Sequence, residues 1–183
     1  SVEDRTTSLQ QRPAAEIDAL MALLEEYIAS EADELRREGV TVRMLGDLDR
    51  LAARSRDAVQ RIETATQGGN KLALNVCLSY GSRAEIVRAA RLRAEQVARG
   101  ALDPAAIDDA AFAAQLYTAE WPDPDLLVRT SGEMRISNFL LWQVAYAEWY
   151  VTPVLWPDFR RDDLYEAILE FQRRDRRFGR VAT

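Results

Sequence analysis

Histidine is absent from the 183 residues, which excludes a Ser-His-Asp triad, a Cys-His pair, His-ligated zinc or haem, and any imidazole proton shuttle. One cysteine, Cys77, leaves no internal disulfide and no cysteine-based zinc cluster, a usage that suits a reducing cytoplasm. Lysine is represented by Lys71 alone, and neither G-x-x-x-x-G-K-[ST] nor G-x-G-x-x-G occurs, so phosphate-loop NTPase and dinucleotide-binding readings fall away. No apolar run approaches the roughly 18 residues of a membrane span. The polar start, Ser1 to Arg12, has no hydrophobic signal region. Acidic residues outnumber basic ones 30 to 24, a net charge of −6, so nothing global recruits nucleic acid or an anionic membrane. Any anion site must be local. What is present is a 48% hydrophobic chain, long enough for one core, whose chemistry must run on carboxylates, arginines, hydroxyls and backbone dipoles.

The pattern along the chain predicts alternating helices and strands. After an irregular polar segment, 1–12, Pro13 opens a stretch in which Ile17, Leu20, Met21, Leu24, Tyr27, Ile28 and Leu35 recur at helical spacing, ended by Gly39. Val40 to Leu45 alternates as a strand with one face inward, and Gly46-Asp47 turns into a helix carrying Leu51, Ala58, Val59 and Ile62. Leu72 to Leu78 is continuously apolar, as in a strand covered on both faces. The next helix has Ile86, Val87, Ala90, Ala94 and Val97 as its stripe. Asp103-Pro104 or Asp108 caps a further helix through Tyr117, and Trp121-Pro122-Asp123-Pro124 is a rigid turn. Leu126 to Val128 and Trp149 to Val151 read as short strands, and Asp162 or Asp163 caps a last helix with the stripe Leu164, Ile168 and Phe171. Such alternation implies an α/β fold, a parallel sheet flanked by helices in one domain over 13–183, with ligands at the carboxyl ends of strands.

The strand ending at Val128 is followed by Arg129, Thr130, Ser131, Gly132, Glu133, Met134, Arg135, Ile136, Ser137 and Asn138. Two guanidinium forks, three hydroxyls, an amide and a glycine within ten residues match the oxygens of a phosphate group, at the strand end where the fold would place an anion site. Glu133 lies in this cluster and Glu148 opens the following strand; either could hold a hard divalent cation that bridges to phosphate oxygens. The apolar neighbours of Glu148, Ala145 to Ala147 and Trp149 to Val151, make it a part-buried carboxylate that needs a cation or an arginine.

From Asp125 to Glu148 the chain reads D-L-L-V-R-T-S-G-E-M-R-I-S-N-F-L-L-W-Q-V-A-Y-A-E, followed by Trp156-Pro157-Asp158-Phe159. This closely resembles the signature of the cis-prenyltransferases, the undecaprenyl diphosphate synthase family. Leu74-Asn75 through Tyr80-Gly81-Ser82-Arg83-Ala84-Glu85-Ile86 and Arg176-Arg177-Phe178-Gly179 resemble further segments of that family, so the resemblance runs from about Arg12 to Arg180. It implies a Mg2+-dependent synthase that condenses isopentenyl diphosphate with an allylic diphosphate to give a longer polyprenyl diphosphate. By residue matching, Arg129, Arg135 and Ser137 hold the diphosphate of isopentenyl diphosphate, Glu148 helps hold Mg2+, and Arg177 and Gly179 reach from the second copy of a homodimer. An apolar tunnel between sheet and helices is implied for the growing chain. Its candidate wall includes Leu20, Leu24, Leu72, Leu74 and Val76, residues that would serve equally as core. The implied setting is cytoplasmic, with no nucleic-acid partner and at most peripheral membrane contact through the lipid product.

Three departures qualify the resemblance. Ser82 replaces the second glycine of the family's Y-G-G-R. The loop F-S-x-E-N-W-x-R-P keeps only Arg12-Pro13 clearly, with Ser8, Leu9 and Gln10 where Glu, Asn and Trp are expected. The first strand and the D-G-N-x-R-W-A segment, whose aspartate serves Mg2+ and the allylic diphosphate, do not occur in these residues. Two readings follow: a synthase whose amino-terminal part is not represented here, or a non-catalytic partner subunit of a heteromeric enzyme. Retention of the whole R-T-S-G-E-M-R-I-S-N cluster favours the synthase.

Overall fold

The structure, a computed structural model, describes residues 22, 23, 26 and 30–174. Leu20, Leu24, Arg177, Gly179 and the altered loop Ser8 to Gln10 lie outside the described residues. The chain divides into two compact units: the first runs to Trp121 and takes in Ser137–Phe139, and the second has Pro122–Ile136 and the chain from Leu140 onward.

In the first unit, helix α1 (30–37) ends at Gly39, whose φ of +73° only glycine adopts without strain. Strand β1 (Val40–Leu45) follows with the burial alternation its sequence announces. Then come helix α2 (Ala53–Ala65), strand β2 (Leu72–Cys77), helix α3 (Ser82–Ala98) and the short helix α4 (Asp109–Ala113). Strands β1 and β2 run parallel, with Val40 opposite Leu72 and Leu45 opposite Cys77. Val40, Val42 and Met44 pack on Ala58, Val59 and Ile62 of α2 to form the core, and Leu35, Leu48, Leu51, Val76 and Leu78 close around it. Each fully buried aliphatic side chain of this kind contributes roughly 1.5–3 kcal/mol.

The edge of β1 that faces away from β2 is closed by side chains. The amide of Val42 donates to Thr66 Oγ1 (3.0 Å) and that of Met44 to Glu63 Oε1 (2.8 Å), which satisfies backbone donors an edge strand would otherwise leave open. Beyond β1, Gly46 has φ +139°, and a Cβ there would lie 2.1 Å from the Leu78 carbonyl oxygen. Glycine is required where the two strand ends meet.

In the second unit, β3 (Leu126–Arg129) and β4 (Glu148–Val151) are parallel, with Leu126 opposite Glu148 and Arg129 opposite Val151. Helix α5 (Arg161–Arg173) packs on β4 and starts with the Arg160 amide donating to Asp163 Oδ2 at 2.7 Å. The parallel pairing with helices expected from the alternation is present, among the described residues as two two-stranded ladders, one in each unit. No helix among the described residues is long and apolar enough to cross a membrane.

Four local expectations need correction. Strand β2 is not covered on both faces: Leu72 is 59% and Leu74 40% exposed, because the helical cover over β1 reaches Val76 and Leu78 but stops short of these two. The inward positions of α3 are Ser82, Glu85 and Ala89, not the apolar stripe, and Val87 stands outside. Asp103 and Asp108 cap two separate short helical elements, and α4 stops at Ala113 rather than at Tyr117. Helix α5 buries Ala167 while Leu164 and Ile168 remain exposed, so a small residue lets the helix approach β4.

Candidate functional site

The carboxyl end of β3 delivers Arg129 as its last residue, and the loop that follows is fixed before it reaches the next functional side chain. The Ser131 amide donates to the Val154 carbonyl and the Gly132 amide to that of Thr152, each at 2.8 Å. Ser131 and Gly132 both have left-handed backbone, φ +66° and +65°. This double turn brings Glu133 back onto the arginines: its carboxylate accepts from the guanidiniums of both Arg129 and Arg135. The hydrogen bond from Arg129 is the main reason the Glu133 carboxyl lies below the usual carboxylate range, with Arg135 adding to it. Glu133 thereby orients two planar forks while leaving most of their N–H donors for another acceptor. One donor stands out: Arg129 Nε is buried and has no hydrogen-bond partner among the described residues. A buried N–H of that kind costs about 1–3 kcal/mol until an acceptor meets it.

Glu148 has a different neighbourhood. It begins β4, opposite Leu126, so it stands at the other end of the ladder from Arg129, about 10 Å away at 3.3 Å per residue. Its Oε2 accepts from Arg174 at 3.0 Å, while the same guanidinium donates to Glu170 Oε1 at 2.5 Å and to the Trp149 carbonyl at 2.9 Å. The partner required by this half-buried carboxylate is therefore an arginine. Both carboxylates raise the Arg174 pKa above the usual arginine range, Glu170 most. Among the described residues no three His, Cys, Asp or Glu side chains converge on one point, and one carboxylate already engaged by an arginine does not make a magnesium site. The described donors do not by themselves fit the ion.

The first unit carries a second cluster at the carboxyl end of β2. Glu85 is 1% exposed; its Oε2 accepts from Tyr80 Oη at 2.5 Å and its Oε1 from the Tyr117 amide at 2.8 Å. Burial raises the Tyr80 hydroxyl well above the ordinary tyrosine range, and the bond to Glu85 adds to the effect. Burial likewise pushes the Cys77 thiol up to about 11, assisted by the Glu85 charge. Tyr80 meets the ring of Phe139 edge to face, with centroids 5.9 Å apart. Next to Phe139, Asn138 accepts the Ser82 amide on its carbonyl (3.0 Å) and the Arg83 amide on Oδ1 (2.9 Å). Ser137, Asn138 and Leu140 all have left-handed backbone, with φ +50°, +59° and +49°. For residues other than glycine, that geometry costs on the order of 1–3 kcal/mol each and marks a segment held in place by its surroundings.

Of the residues singled out from sequence, the structure brings Arg129 and Arg135 together on Glu133, and sets Glu148 at the opposite end of the β3–β4 ladder from Arg129. Ser137 groups with the first unit. Sequence reasoning gave neither Arg174 nor Glu85 a role. A glutamate three residues past a helix-opening Gly81-Ser82, with tyrosines on either side in sequence, was the available signal.

A family model described as undecaprenyl diphosphate synthase matches residues 6–179. An isoprenyl transferase of Prochlorococcus marinus is 48% identical over 176 residues, covering 96% of this chain and 66% of the relative. That of Bacillus subtilis is 46% identical over 176 residues, covering 96% and 68%. The chain thus spans about two thirds of the length of these curated relatives. Among solved structures, lavandulyl diphosphate synthase from Lavandula x intermedia in complex with dimethylallyl diphosphate superposes with TM-score 0.89 at 38% identity, covering 92% of this chain and 73% of the other. A probable undecaprenyl diphosphate synthase from Campylobacter jejuni gives TM-score 0.81 at 33% identity, covering 95% and 79%.

Proposed function

We propose, from the premise that this chain belongs to the undecaprenyl diphosphate synthase family, that it carries the isopentenyl-diphosphate-binding part of a prenyl chain-elongating transferase. The reaction joins isopentenyl diphosphate to an allylic prenyl diphosphate and gives a longer polyprenyl diphosphate. The observation that carries this reading is the pair of guanidiniums, Arg129 and Arg135, held on Glu133 at a strand end, with the buried Nε of Arg129 lacking an acceptor among the described residues. Two forks with spare donors suit a diphosphate, whose charge and paired oxygens a lone lysine ammonium would match less well. Binding dimethylallyl diphosphate is a property of the lavandulyl diphosphate synthase structure, and it supports the same substrate class here.

In this reading Arg129, Arg135 and the Ser137 hydroxyl hold the diphosphate of isopentenyl diphosphate and so orient its carbon chain toward the allylic partner. Arg177 and Gly179 of a second copy complete the diphosphate site, which makes the working protein a homodimer. Exposed Leu72 and Leu74, continuing to Val76 and joined by Leu20 and Leu24, form the wall of an apolar tunnel for the growing chain. A Mg2+ ion, which lends positive charge to diphosphate oxygens, would take Glu148 as one ligand and the rest from outside the described residues. The family model runs across both compact units, which supports 13–183 as one functional domain. A cytoplasmic setting suits the free thiol and the water-soluble substrates. Retention of the arginine cluster favours this reading over a non-catalytic partner subunit.

The test is incubation of the full-length protein with isopentenyl diphosphate, an allylic diphosphate and Mg2+. Lengthened prenyl diphosphates are expected, and their formation should stop when Mg2+ is chelated. No lengthening with either a short or a longer allylic primer would overturn the proposal.

A further inference from the structure

We infer that Asn138 is a positioning residue: by capping helix α3 from outside that helix it fixes the left-handed segment that presents the Ser137 hydroxyl. The inference rests on the reading of Ser137 as part of the isopentenyl diphosphate site.

Helix α3 begins after Gly81, an N-cap residue with no side chain to offer the first amides of the helix. Those amides are served instead from 55 residues downstream: Ser82 N–H donates to the Asn138 carbonyl at 3.0 Å and Arg83 N–H to Asn138 Oδ1 at 2.9 Å. Asparagine suits the task on two counts, because it tolerates φ near +59° better than most residues and because its short side chain carries an acceptor. Phe139, edge to face with Tyr80 at 5.9 Å, adds a second restraint, and Tyr80 is itself held by buried Glu85 at 2.5 Å. Ser137 lies immediately before these two anchors with φ +50°, a conformation it would not keep unaided. The orientation of the amide is set by the Arg83 N–H, which needs an acceptor. Asn138 Nδ2 is buried without a partner among the described residues. The oxygen is therefore the engaged atom, and aspartate, which keeps that oxygen and adds charge favourable at a helix amino terminus, should replace it.

Steady-state kinetics of the full-length protein test this. Asn138→Ala is expected to raise KM for isopentenyl diphosphate about tenfold, with kcat and the KM for the allylic substrate changed less than about threefold. Asn138→Asp should remain within about threefold of the parent in every parameter. Hydrogen exchange at the Ser82 and Arg83 amides should quicken in Asn138→Ala and return in Asn138→Asp. If Asn138→Ala does not fold, Asn138→Gly, which keeps the left-handed backbone and removes only the side-chain acceptor, is judged by the same criteria. An unchanged KM for isopentenyl diphosphate, or an aspartate variant no better than alanine, overturns the inference. Ser137→Ala separates the two levels: if it leaves that KM unchanged, the substrate reading fails and this inference with it. If it raises the KM while Asn138→Ala does not, the inference alone fails.

Discussion

Glu85 is a buried carboxylate that accepts from both the Tyr80 hydroxyl and the Tyr117 amide. Deleting its carboxylate strands the Tyr117 amide and leaves the Tyr80 hydroxyl with Ser82 Oγ in place of its charged partner, so Glu85→Ala should lower unfolding free energy by about 2–4 kcal/mol, read by urea denaturation. Glu85→Gln, which can still accept one of the two bonds, should lose less. Cys77 and Tyr80 give the pH dependence of this region. Both are held neutral by burial, and their folded pKa values lie above the unfolded ones. The stability gained from keeping them neutral is complete below pH 9 and is lost progressively as the thiol passes from its ordinary 9.0 toward about 11, with Tyr80 adding its share above pH 10. The denaturation midpoint should therefore be level from pH 7 to about 9 and fall above it. The same shift makes Cys77 a poor nucleophile, so iodoacetamide at pH 9 should modify the native protein at least about tenfold more slowly than the unfolded chain.

At the scale of elements, β1 shows what was legible in sequence and why. Strict alternation from Val40 to Leu45 gave the strand its face, and glycines at 39 and 46 gave its ends; the observed strand has those limits. Its edge was not legible, because the groups that close it, Glu63 on α2 and Thr66 at its carboxyl-terminal cap, sit among other polar residues. Glu63→Ala should cost about 1–2 kcal/mol by exposing the Met44 amide, and Gly46→Ala should cost more, since its Cβ would meet the Leu78 carbonyl. Helices α3 and α5 lie where the sequence puts them, except that α5 is capped at Arg160 rather than at Asp162 or Asp163, but both are turned away from the face their apolar stripes predict, and for one reason. Weighting bulk points Val87, Leu164 and Ile168 inward, whereas close approach favours Ser82, Ala89 and Ala167. Ala167→Leu should therefore destabilise by roughly 1–3 kcal/mol through overpacking, although it adds apolar surface.

At the scale of the whole molecule, an acidic chain of net charge −6 gathers its anion-directed arginines locally, on a carboxylate that holds them apart from one another's repulsion. The cluster was legible because ten consecutive residues encode it. The pairing of Glu148 with Arg174, and of Asn138 with helix α3, was not, because each joins residues 26 or 55 positions apart that no local pattern connects. The chain's relation to its family rests on both units, since the matched residues, 6–179, cross every boundary between them. The central claim is that Arg129 and Arg135 together hold the diphosphate of isopentenyl diphosphate. Its most direct test is the KM for isopentenyl diphosphate in Arg129→Ala and Arg135→Ala, with the allylic substrate saturating. Increases of about tenfold or more in both variants, with the allylic KM unchanged, are expected; an isopentenyl diphosphate KM equal to the parent's in both would contradict the account.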